Sequence, residues 1–354
     1  MGSTPGSNGR SWLRTARLMV VQTTRPRLHD LRYTLYRVLS INMSSSSGDD
    51  EDAENGDNTS VAGVTNREDL VNRLAVEPCR APDDRLGRTT ASFVGRPVEG
   101  FTQRTFGGHL VAQAVLASAA TVEDPERVVN SLHAYFLTSG SHEHPLRYDV
   151  DAVRDGRSLS IRETTVIQNA RKLTRISASF CVPSAIGIST AAEAVVDPAV
   201  PAPETLEPLN RRRRLGLPAD GIKLPTRRRW ETASRPVDIR YIDDSQRRCF
   251  WFRTAAVRGV HQNVHRAILA FASDRSLLPA IAHARGDLAG AHTMRTASID
   301  HSMWFHADVR AGDWYLYLQD SPFHTPKSGL ALGSIVDERG RPVASVAQQG
   351  LILE

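Results

Sequence analysis

The sequence predicts an α+β fold made of two similar halves, each with one helix and several antiparallel strands. Two apolar segments have the length of helices, residues 110–120 and 264–278. Both are followed by segments in which polar and apolar residues alternate, a pattern typical of half-buried strands. Turn sequences such as Asp155-Gly156 separate the strands and favour hairpins, so the strands are expected to be antiparallel.

The first half begins with a helix of small residues. Gly107-Gly108 leads into the alanine-rich segment 110–120, whose small side chains allow close contact with a sheet. Strands are expected after it at residues 147–153, 159–167 and 173–182.

The second half repeats this order. Its helix is predicted at 264–278, with strands at 296–305, 314–318 and 343–353 and a turn at 337–341. We therefore predict domains at 63–183 and 237–354, joined by a linker at 184–236 that is rich in proline and arginine.

Asp274 is the most unusual residue of the second predicted helix. Phe271 lies three residues before it and Leu278 four after, so on a helix all three project from one side. Removing an ionised carboxylate from water is costly unless a partner binds it, so we expect Asp274 to serve either in chemistry or as a helix cap. In the second case Ser273-Asp274 forms the N-cap of a second short helix.

Gln348 is the second candidate. On the last predicted strand it shares a face with Val346 and Ile352, where an amide requires a partner. The alternative is an edge position that faces water.

Several sequence blocks resemble the acyl-CoA thioesterase II family, whose members have a double-hotdog fold. They occur in the expected order: Phe106-Gly107-Gly108-His109, His133-Ala134-Tyr135-Phe136-Leu137, Leu269-Ala270-Phe271-Ala272-Ser273-Asp274, 298–306 and 343–350. The resemblance covers roughly residues 69–354, apart from most of the linker. It implies two central helices, each wrapped by an antiparallel sheet, and hydrolysis of acyl-CoA to a free fatty acid and coenzyme A.

The resemblance also implies three catalytic residues that hold the attacking water: Asp274, Ser298 and Gln348. The family has threonine at the second position, and serine keeps the hydroxyl while losing a methyl group. A further departure is His109, where the family usually has glutamine. These departures leave open a non-catalytic acyl-CoA-binding protein. A hotdog enoyl-CoA hydratase or dehydratase is the other alternative, although its His/Asp motif is not found in the sequence.

The linker arginines, 211–214 and 227–229, suit the phosphates of coenzyme A, or they belong to a solvated basic loop. Nucleic-acid binding ranks last, because these arginines lack interleaved aromatic residues and a recognisable nucleic-acid motif. The expected partner is thus the acyl-CoA substrate, with no nucleic acid and no membrane span. The resemblance also allows a homo-oligomer.

Composition and the absence of certain motifs narrow the classes of protein to which this chain can belong. Three widely separated cysteines indicate neither a disulfide framework nor a metal site, and they favour a reducing compartment. No apolar run reaches the roughly 20 residues of a bilayer span. There is no Gly-x-Ser-x-Gly elbow, which disfavours a serine-nucleophile hydrolase, and no Walker or Rossmann motif. The implied hydrolysis requires neither a metal nor a bound cofactor, because coenzyme A is part of the substrate.

Residues 1–62 are not expected to form a packed domain. Positions 2–42 contain seven arginines and a single acid, Asp30, which is the composition of a transit peptide. Alternatively, translation starts at Met43, before a serine-rich and acidic spacer that is expected to be disordered. The predicted location is accordingly the cytoplasm, or the mitochondrion if the arginine-rich segment is a transit peptide.

Overall fold

The computed structural model describes residues 67–80, 89–97, 104–183, 199–215, 218–219, 222–223, 236–243, 248–286 and 295–353. Residues 1–62 and most of the basic linker segments therefore lie outside the described residues. The helices within these ranges are α1 (Arg67–Leu74), α2 (Gly107–Ala119), α3 (Leu209–Arg214), α4 (Gln262–Ser273) and α5 (Pro279–Ala284), with a 3₁₀ turn at Pro203–Thr205.

The strands of the first half are β1 (Val76–Cys79), β2 (Ala91–Gly95), β3 (Val128–Phe136), β4 (Leu146–Asp155), β5 (Ser160–Gln168) and β6 (Arg171–Cys181). A two-stranded ribbon follows, β7 (Pro218–Ala219) and β8 (Ile222–Lys223). The second half contributes β9 (Val237–Tyr241), β10 (Arg248–Thr254), β11 (Arg295–Ser298), β12 (Asp300–Phe305), β13 (Tyr315–His324), β14 (Ser328–Asp337) and β15 (Pro342–Leu353).

One antiparallel sheet of 13 strands runs through both halves. Its order is β1-β2-β4-β5-β6-β3-β12-β15-β14-β13-β10-β9, and β11 pairs with β15. The halves join where β3 pairs with β12, with Ala134 opposite His301. The two halves therefore share one continuous hydrogen-bonded sheet.

The two long helices, α2 and α4, lie against each other inside this sheet. A Cβ added to Gly108 would come within 2.6 Å of the Phe271 carbonyl oxygen, so the start of α2 touches the last turn of α4. At the other end, His261 is the N-cap of α4. Its Nε2 atom lies 2.8 Å from the carbonyl oxygen of Pro125, which follows the end of α2. The helices thus run in opposite directions, each wrapped by its own half of the sheet. This is the α+β double-hotdog arrangement expected from the sequence.

The sequence pattern missed the strands that precede each long helix. In the second half the reason is burial on both faces, since every residue of β9 and nearly all of β10 are buried. Phe250 and Phe252 belong to the main core, while Trp251 belongs to a second cluster on the outer face. A strand covered on both sides shows no alternation of polar and apolar residues.

The described part of the linker provides that outer cover. The Trp251 indole donates to the Pro201 carbonyl at 2.9 Å, and Arg240 donates to the Pro203 carbonyl at 2.8 Å. The Arg240 guanidinium also stacks 4.9 Å from the centre of the Trp314 ring. This segment therefore packs against the second half on the side of the sheet away from α4.

Candidate active site

Asp274, Ser298 and Gln348 meet at one point. The Gln348 amide nitrogen donates to Asp274 Oδ1 at 2.6 Å and to Ser298 Oγ at 2.8 Å. The structure thus brings together the three side chains predicted from the sequence, although 74 and 50 residues separate the partners of these two bonds. Both amide hydrogens of Gln348 are committed to these neighbours.

Asp274 was predicted inside a helix, but it lies directly after one. The predicted helix 264–278 was too long, because α4 ends at Ser273 and Asp274 is its C-cap. The N-cap alternative was also wrong, since α5 begins at Pro279 with Leu278 as its N-cap. Leu277 and Leu278 are nevertheless buried, which explains why the apolar pattern continued beyond the helix end.

Distant side chains stabilise this helix end. Tyr317 Oη donates to the Ser273 carbonyl at 3.2 Å, and the Arg248 guanidinium donates to the Ser276 carbonyl at 2.7 Å. The Ser273 carbonyl belongs to the last turn of α4 and has no partner within the helix, and the Ser276 carbonyl lies in the segment after it. These two bonds from the sheet therefore allow the chain to turn there. Burial raises the pKa of Tyr317 well above its usual value, so this hydroxyl keeps its proton as a donor.

The Asp274 carboxylate lies between the ends of the two long helices. Its side chain is 5% exposed, and a Cβ added to Gly107 would lie 2.9 Å from its Oδ2. The start of α2 carries the positive end of a helix dipole, which favours a nearby negative charge. The N–H groups of Gly107 and Gly108 belong to the first turn and have no partner within the helix.

Ser298 reaches the site because the strand that carries it is irregular. β11 pairs with β15 through Ser298 and Gly350, whereas β12 pairs with β15 through Ser302 and Ala347, so the register shifts by one residue. In a regular strand Ser298 and His301 would point to opposite faces. The bulge at residues 299–300 turns both towards the interior.

Two polar residues that were not predicted as part of the site, His301 and Ser273, lie directly behind it. His301 is fully buried, with Nδ1 3.7 Å from Asp274 Oδ1 and Nε2 3.0 Å from Ser273 Oγ. Burial lowers the pKa of His301, while the charges of Asp274 and Asp300 act in the opposite direction. The spacing of three residues between Ser298 and His301 predicts opposite faces of a strand, and only the bulge brings both to one face.

A cavity of about 620 Å³ opens in front of Asp274 and Ser298. Its volume is in the range of small-molecule sites. Gln348 is 0% exposed and lies behind the carboxylate and the hydroxyl. The cavity wall is mainly apolar, with Arg104 and Thr138 at its polar part; the apolar residues include Phe106, Leu110, Phe136, Leu278, Ile299 and Leu351.

His109 does not line this cavity. Its ring is fully buried in the first half, with Nε2 2.8 Å from the Arg96 carbonyl oxygen. Burial lowers its pKa to about 4, so the ring is neutral at pH 7. His109 therefore occupies a core position at the start of α2.

The two linker arginines whose side chains are described, Arg211 and Arg212, have carboxylate partners. Arg211 pairs with Glu207 at 3.2 Å, and Arg212 pairs with Asp243. Residues 227–229 and the side chains of Arg213 and Arg214 lie outside the described residues. The cation that does line the cavity is Arg104, which comes from the first half.

Within the described ranges, no cluster of three or more His, Cys, Asp or Glu side chains is arranged to hold a metal ion. Nor does any helix in them combine the length and the apolar character needed to cross a bilayer.

Comparison with known proteins agrees with this geometry. The family described as acyl-CoA thioesterase matches residues 228–351, and the acyl-CoA thioesterase N-terminal domain matches residues 96–181. Acyl-CoA thioesterase 2 of Haemophilus influenzae is 33% identical over 264 residues, which is 72% of this chain and 88% of that protein.

Solved structures show the same architecture. An acyl-CoA thioesterase II from Mycobacterium marinum aligns with a TM-score of 0.60 and 26% identity, over 80% of this chain and 97% of that one. A protein with a hot dog fold from Alicyclobacillus acidocaldarius gives a TM-score of 0.59 at 17% identity, over 82% of this chain and 99% of that one. The second likeness supports the fold alone. Sequence, fold and family matches agree, and the chain belongs to the acyl-CoA thioesterase II family of thioester hydrolases.

Proposed function

We propose that this protein hydrolyses acyl-CoA thioesters to a free fatty acid and coenzyme A, using a water molecule activated at Asp274, Ser298 and Gln348. The observation that carries the proposal is the contact of these three side chains beside a mainly apolar cavity. A carboxylate that lines such a cavity is within reach of a water molecule and of a bound thioester.

Asp274 acts as the general base. It takes a proton as the water oxygen attacks the thioester carbonyl carbon, and the Ser298 hydroxyl holds the water in position. Gln348 fixes the distance between the two, because its two amide hydrogens bind one oxygen of each. Its contribution to the position of the water therefore passes through Asp274 and Ser298.

The oxyanion that forms during attack is stabilised by the start of α2. The N–H groups of Gly107 and Gly108 are unpaired within the helix and lie at its positive end, beside Asp274. When the C–S bond breaks, coenzyme A leaves as a thiolate and takes a proton from the Asp274 carboxyl. A thiolate is a good leaving group, so the reaction does not require a separate strong acid.

The Asp274→Asn variant tests this proposal. Asparagine keeps the size of the side chain and cannot accept the proton, so release of free coenzyme A should fall by about 10²- to 10⁴-fold. Asp124→Asn is a suitable control, because Asp124 lies outside the site and its side chain, which pairs with Arg127, is 41% exposed. Full activity in a folded Asp274→Asn protein would show that the base lies elsewhere.

The same assay addresses the alternative chemistry. Incubation with an enoyl-CoA and parallel measurement of hydration and free thiol should give thiol release alone. Hydration without thiol release would identify the protein as a hotdog hydratase. Tight acyl-CoA binding without either reaction would identify a binding protein.

We further propose that residues 63–183 and 237–354 are the two hotdog units and that 184–236 connects them.

The free thiols of Cys79, Cys181 and Cys249 favour a reducing compartment such as the cytoplasm. Fluorescent fusions that begin at Met1 and at Met43 would separate the cytoplasm from the mitochondrion. A homo-oligomer is also part of this proposal, and light scattering of the purified protein would measure its mass.

A further inference from the structure

His301 contacts the proposed catalytic groups but has no part in the steps above. Its ring is fully buried, and Nδ1 lies 3.7 Å from Asp274 Oδ1. On the ladder between β12 and β15 Ser302 is opposite Ala347, so His301 and Gln348 are the next pair of residues. The ring therefore lies beside both the carboxylate and the amide.

The hydrogen bonds around Gln348 indicate what this ring provides. The two amide hydrogens are used by Asp274 Oδ1 and Ser298 Oγ, so only the amide oxygen remains. Within the described part of the chain, Gln348 Oε1 and His301 Nδ1 are both buried without a hydrogen-bond partner. The groups that face Nδ1 are then acceptors, the carboxylate and the amide oxygen, and they favour a hydrogen on Nδ1.

Ser273 determines whether the ring can carry its hydrogen there. The Ser273 hydroxyl has one hydrogen and three acceptors within reach, the Ala270 carbonyl at 2.9 Å, His301 Nε2 at 3.0 Å and the Met303 sulfur at 3.7 Å. If the hydroxyl donates to Nε2, the single hydrogen of a neutral ring must be on Nδ1. Burial, which lowers the pKa of His301, keeps the ring neutral.

The other half of the molecule serves as an internal comparison. The aromatic pairs Tyr135-Phe136 and Trp304-Phe305 align β3 with β12, which places Leu132 where the second half has His301. Leu132 is opposite Ala178, which therefore corresponds to Gln348. Ala120 caps α2 as Asp274 caps α4. The histidine thus occurs only at the end of the helix pair that has the carboxylate and the amide.

We propose that His301 is a positioning residue, a neutral imidazole that carries its hydrogen on Nδ1 and holds the Asp274 carboxylate and the Gln348 amide in their reactive orientation. The ring receives a hydrogen bond from Ser273 through Nε2 and directs Nδ1–H at the two acceptors. Without it, the amide of Gln348 can rotate, and one hydrogen bond to Asp274 or Ser298 is lost. This inference rests on the proposed function, because it assigns His301 to the same reaction.

Three substitutions separate the two ring nitrogens. In His301→Asn the amide nitrogen can occupy the position of Nδ1, in His301→Gln it can occupy that of Nε2, and His301→Leu copies the residue of the first half. We expect kcat to fall by about 10- to 100-fold in the glutamine and leucine variants, which corresponds to the loss of one buried hydrogen bond. The asparagine variant should stay within about threefold of the unmodified protein. KM should be nearly unchanged in all three, because His301 lies behind the cavity wall.

These results distinguish a failure of this inference from a failure of the proposed function. If the unmodified protein hydrolyses acyl-CoA and Asp274→Asn does not, but all three His301 variants keep full activity, His301 has no positioning role. Equal losses in the asparagine and glutamine variants, or a rise in KM with kcat unchanged, would also overturn the assignment. Melting temperatures of the three variants separate a loss of kcat from a loss of folded protein.

Nitrogen NMR of the full chain labelled with ¹⁵N-histidine tests the tautomer without measuring activity. The signals absent from the His301→Asn spectrum belong to His301. A protonated Nδ1 and an unprotonated Nε2 are expected at pH 7.5, and Ser273→Ala should reduce this preference. A ring protonated on Nε2 would contradict the inference.

Discussion

At Ser298 the important group is the hydroxyl. Its oxygen accepts a hydrogen bond from Gln348 at 2.8 Å, which leaves its own hydrogen for a water molecule or the substrate. The additional methyl group of threonine stiffens the side chain but does not change this hydrogen-bonding role. The serine therefore provides the donor and acceptor that the resemblance implies for threonine at this position.

Replacing Ser298 by threonine and by alanine should separate the hydroxyl from the rest of the side chain. We expect Ser298→Thr to keep kcat within about threefold and Ser298→Ala to lower it by about 10- to 100-fold, since one hydrogen bond to the site is lost. The measurement is coenzyme A release at saturating acyl-CoA. An inactive but folded threonine variant would contradict the assigned equivalence.

His109 gives a prediction about stability in acid. Its folded pKa of about 4 lies below the ordinary value of 6.5, so between these values the unfolded chain binds a proton that the folded protein does not. The contribution of this residue is complete above pH 6.5 and decreases as the pH falls towards 4. At pH 5 the free energy of unfolding should be lower by roughly 2 kcal/mol from this residue alone.

His109→Gln should remove this part of the pH dependence. Urea unfolding at pH 7.5 and pH 5 would show a smaller loss of stability in the variant than in the unmodified protein. Both proteins keep the other buried histidines, such as His265, so their contribution cancels in the comparison. An identical loss in both proteins would mean that His109 is accessible to protons in the folded state.

At the scale of elements, the start of α2 depends on two glycines with different neighbours. A Cβ at Gly107 would lie 2.9 Å from Asp274 Oδ2, whereas a Cβ at Gly108 would lie 2.6 Å from the Phe271 carbonyl oxygen. The first clash involves a side chain of the site, and the second involves the backbone of α4. Alanine should therefore have different consequences at two adjacent positions.

We expect Gly107→Ala to lower kcat at least about tenfold with a small change in melting temperature, because the carboxylate must move. Gly108→Ala should lower the melting temperature clearly, since the two helices must separate. Thermal unfolding and coenzyme A release, measured on both variants, test this contrast. The reverse pattern would indicate that Gly107, rather than Gly108, determines the contact between the helices.

The sequence predicted several elements well, and its errors have physical causes. The strands β4 to β6 and the last strand have clear periodicity, since each buries one face. The alanine-rich helix is buried on all sides, and its continuous run of small and apolar residues predicted it. The end of α4 was misplaced because it depends on side chains from distant strands. Tyr317 binds the last helix carbonyl, that of Ser273, and Arg248 binds the Ser276 carbonyl in the segment that follows. Local sequence contains no information about such partners.

The candidate site was predicted in part for a similar reason. The resemblance supplied Asp274, Ser298 and Gln348, and the burial of Gln348 among apolar neighbours agrees with its position on the last strand. His301 was not assigned to the site, because regular alternation places it on the face opposite Ser298. Only the register of two strand pairs reveals the bulge that changes this.

At the scale of the whole molecule, the two halves form one structure, but their long helices end differently: the C-cap is polar in α4 and apolar in α2. The sheet passes from β3 to β12 without a break, and the main core contains buried residues from both halves. The end of α4 has Asp274, whereas the equivalent end of α2 has Ala120. We therefore expect a single catalytic site per chain, to which the first half contributes the start of α2.

A shared core and sheet also predict one cooperative unfolding transition. Leu146 in β4 and Ile335 in β14 are both fully buried and lie in different halves. Replacing either one by alanine should cost about 2–5 kcal/mol and move the same calorimetric transition to a lower temperature. If the halves unfolded independently, each substitution would move only one of two transitions and leave the other in place. Scanning calorimetry of both variants distinguishes these outcomes, and a single shifted peak in each would mean that neither half is stable without the other.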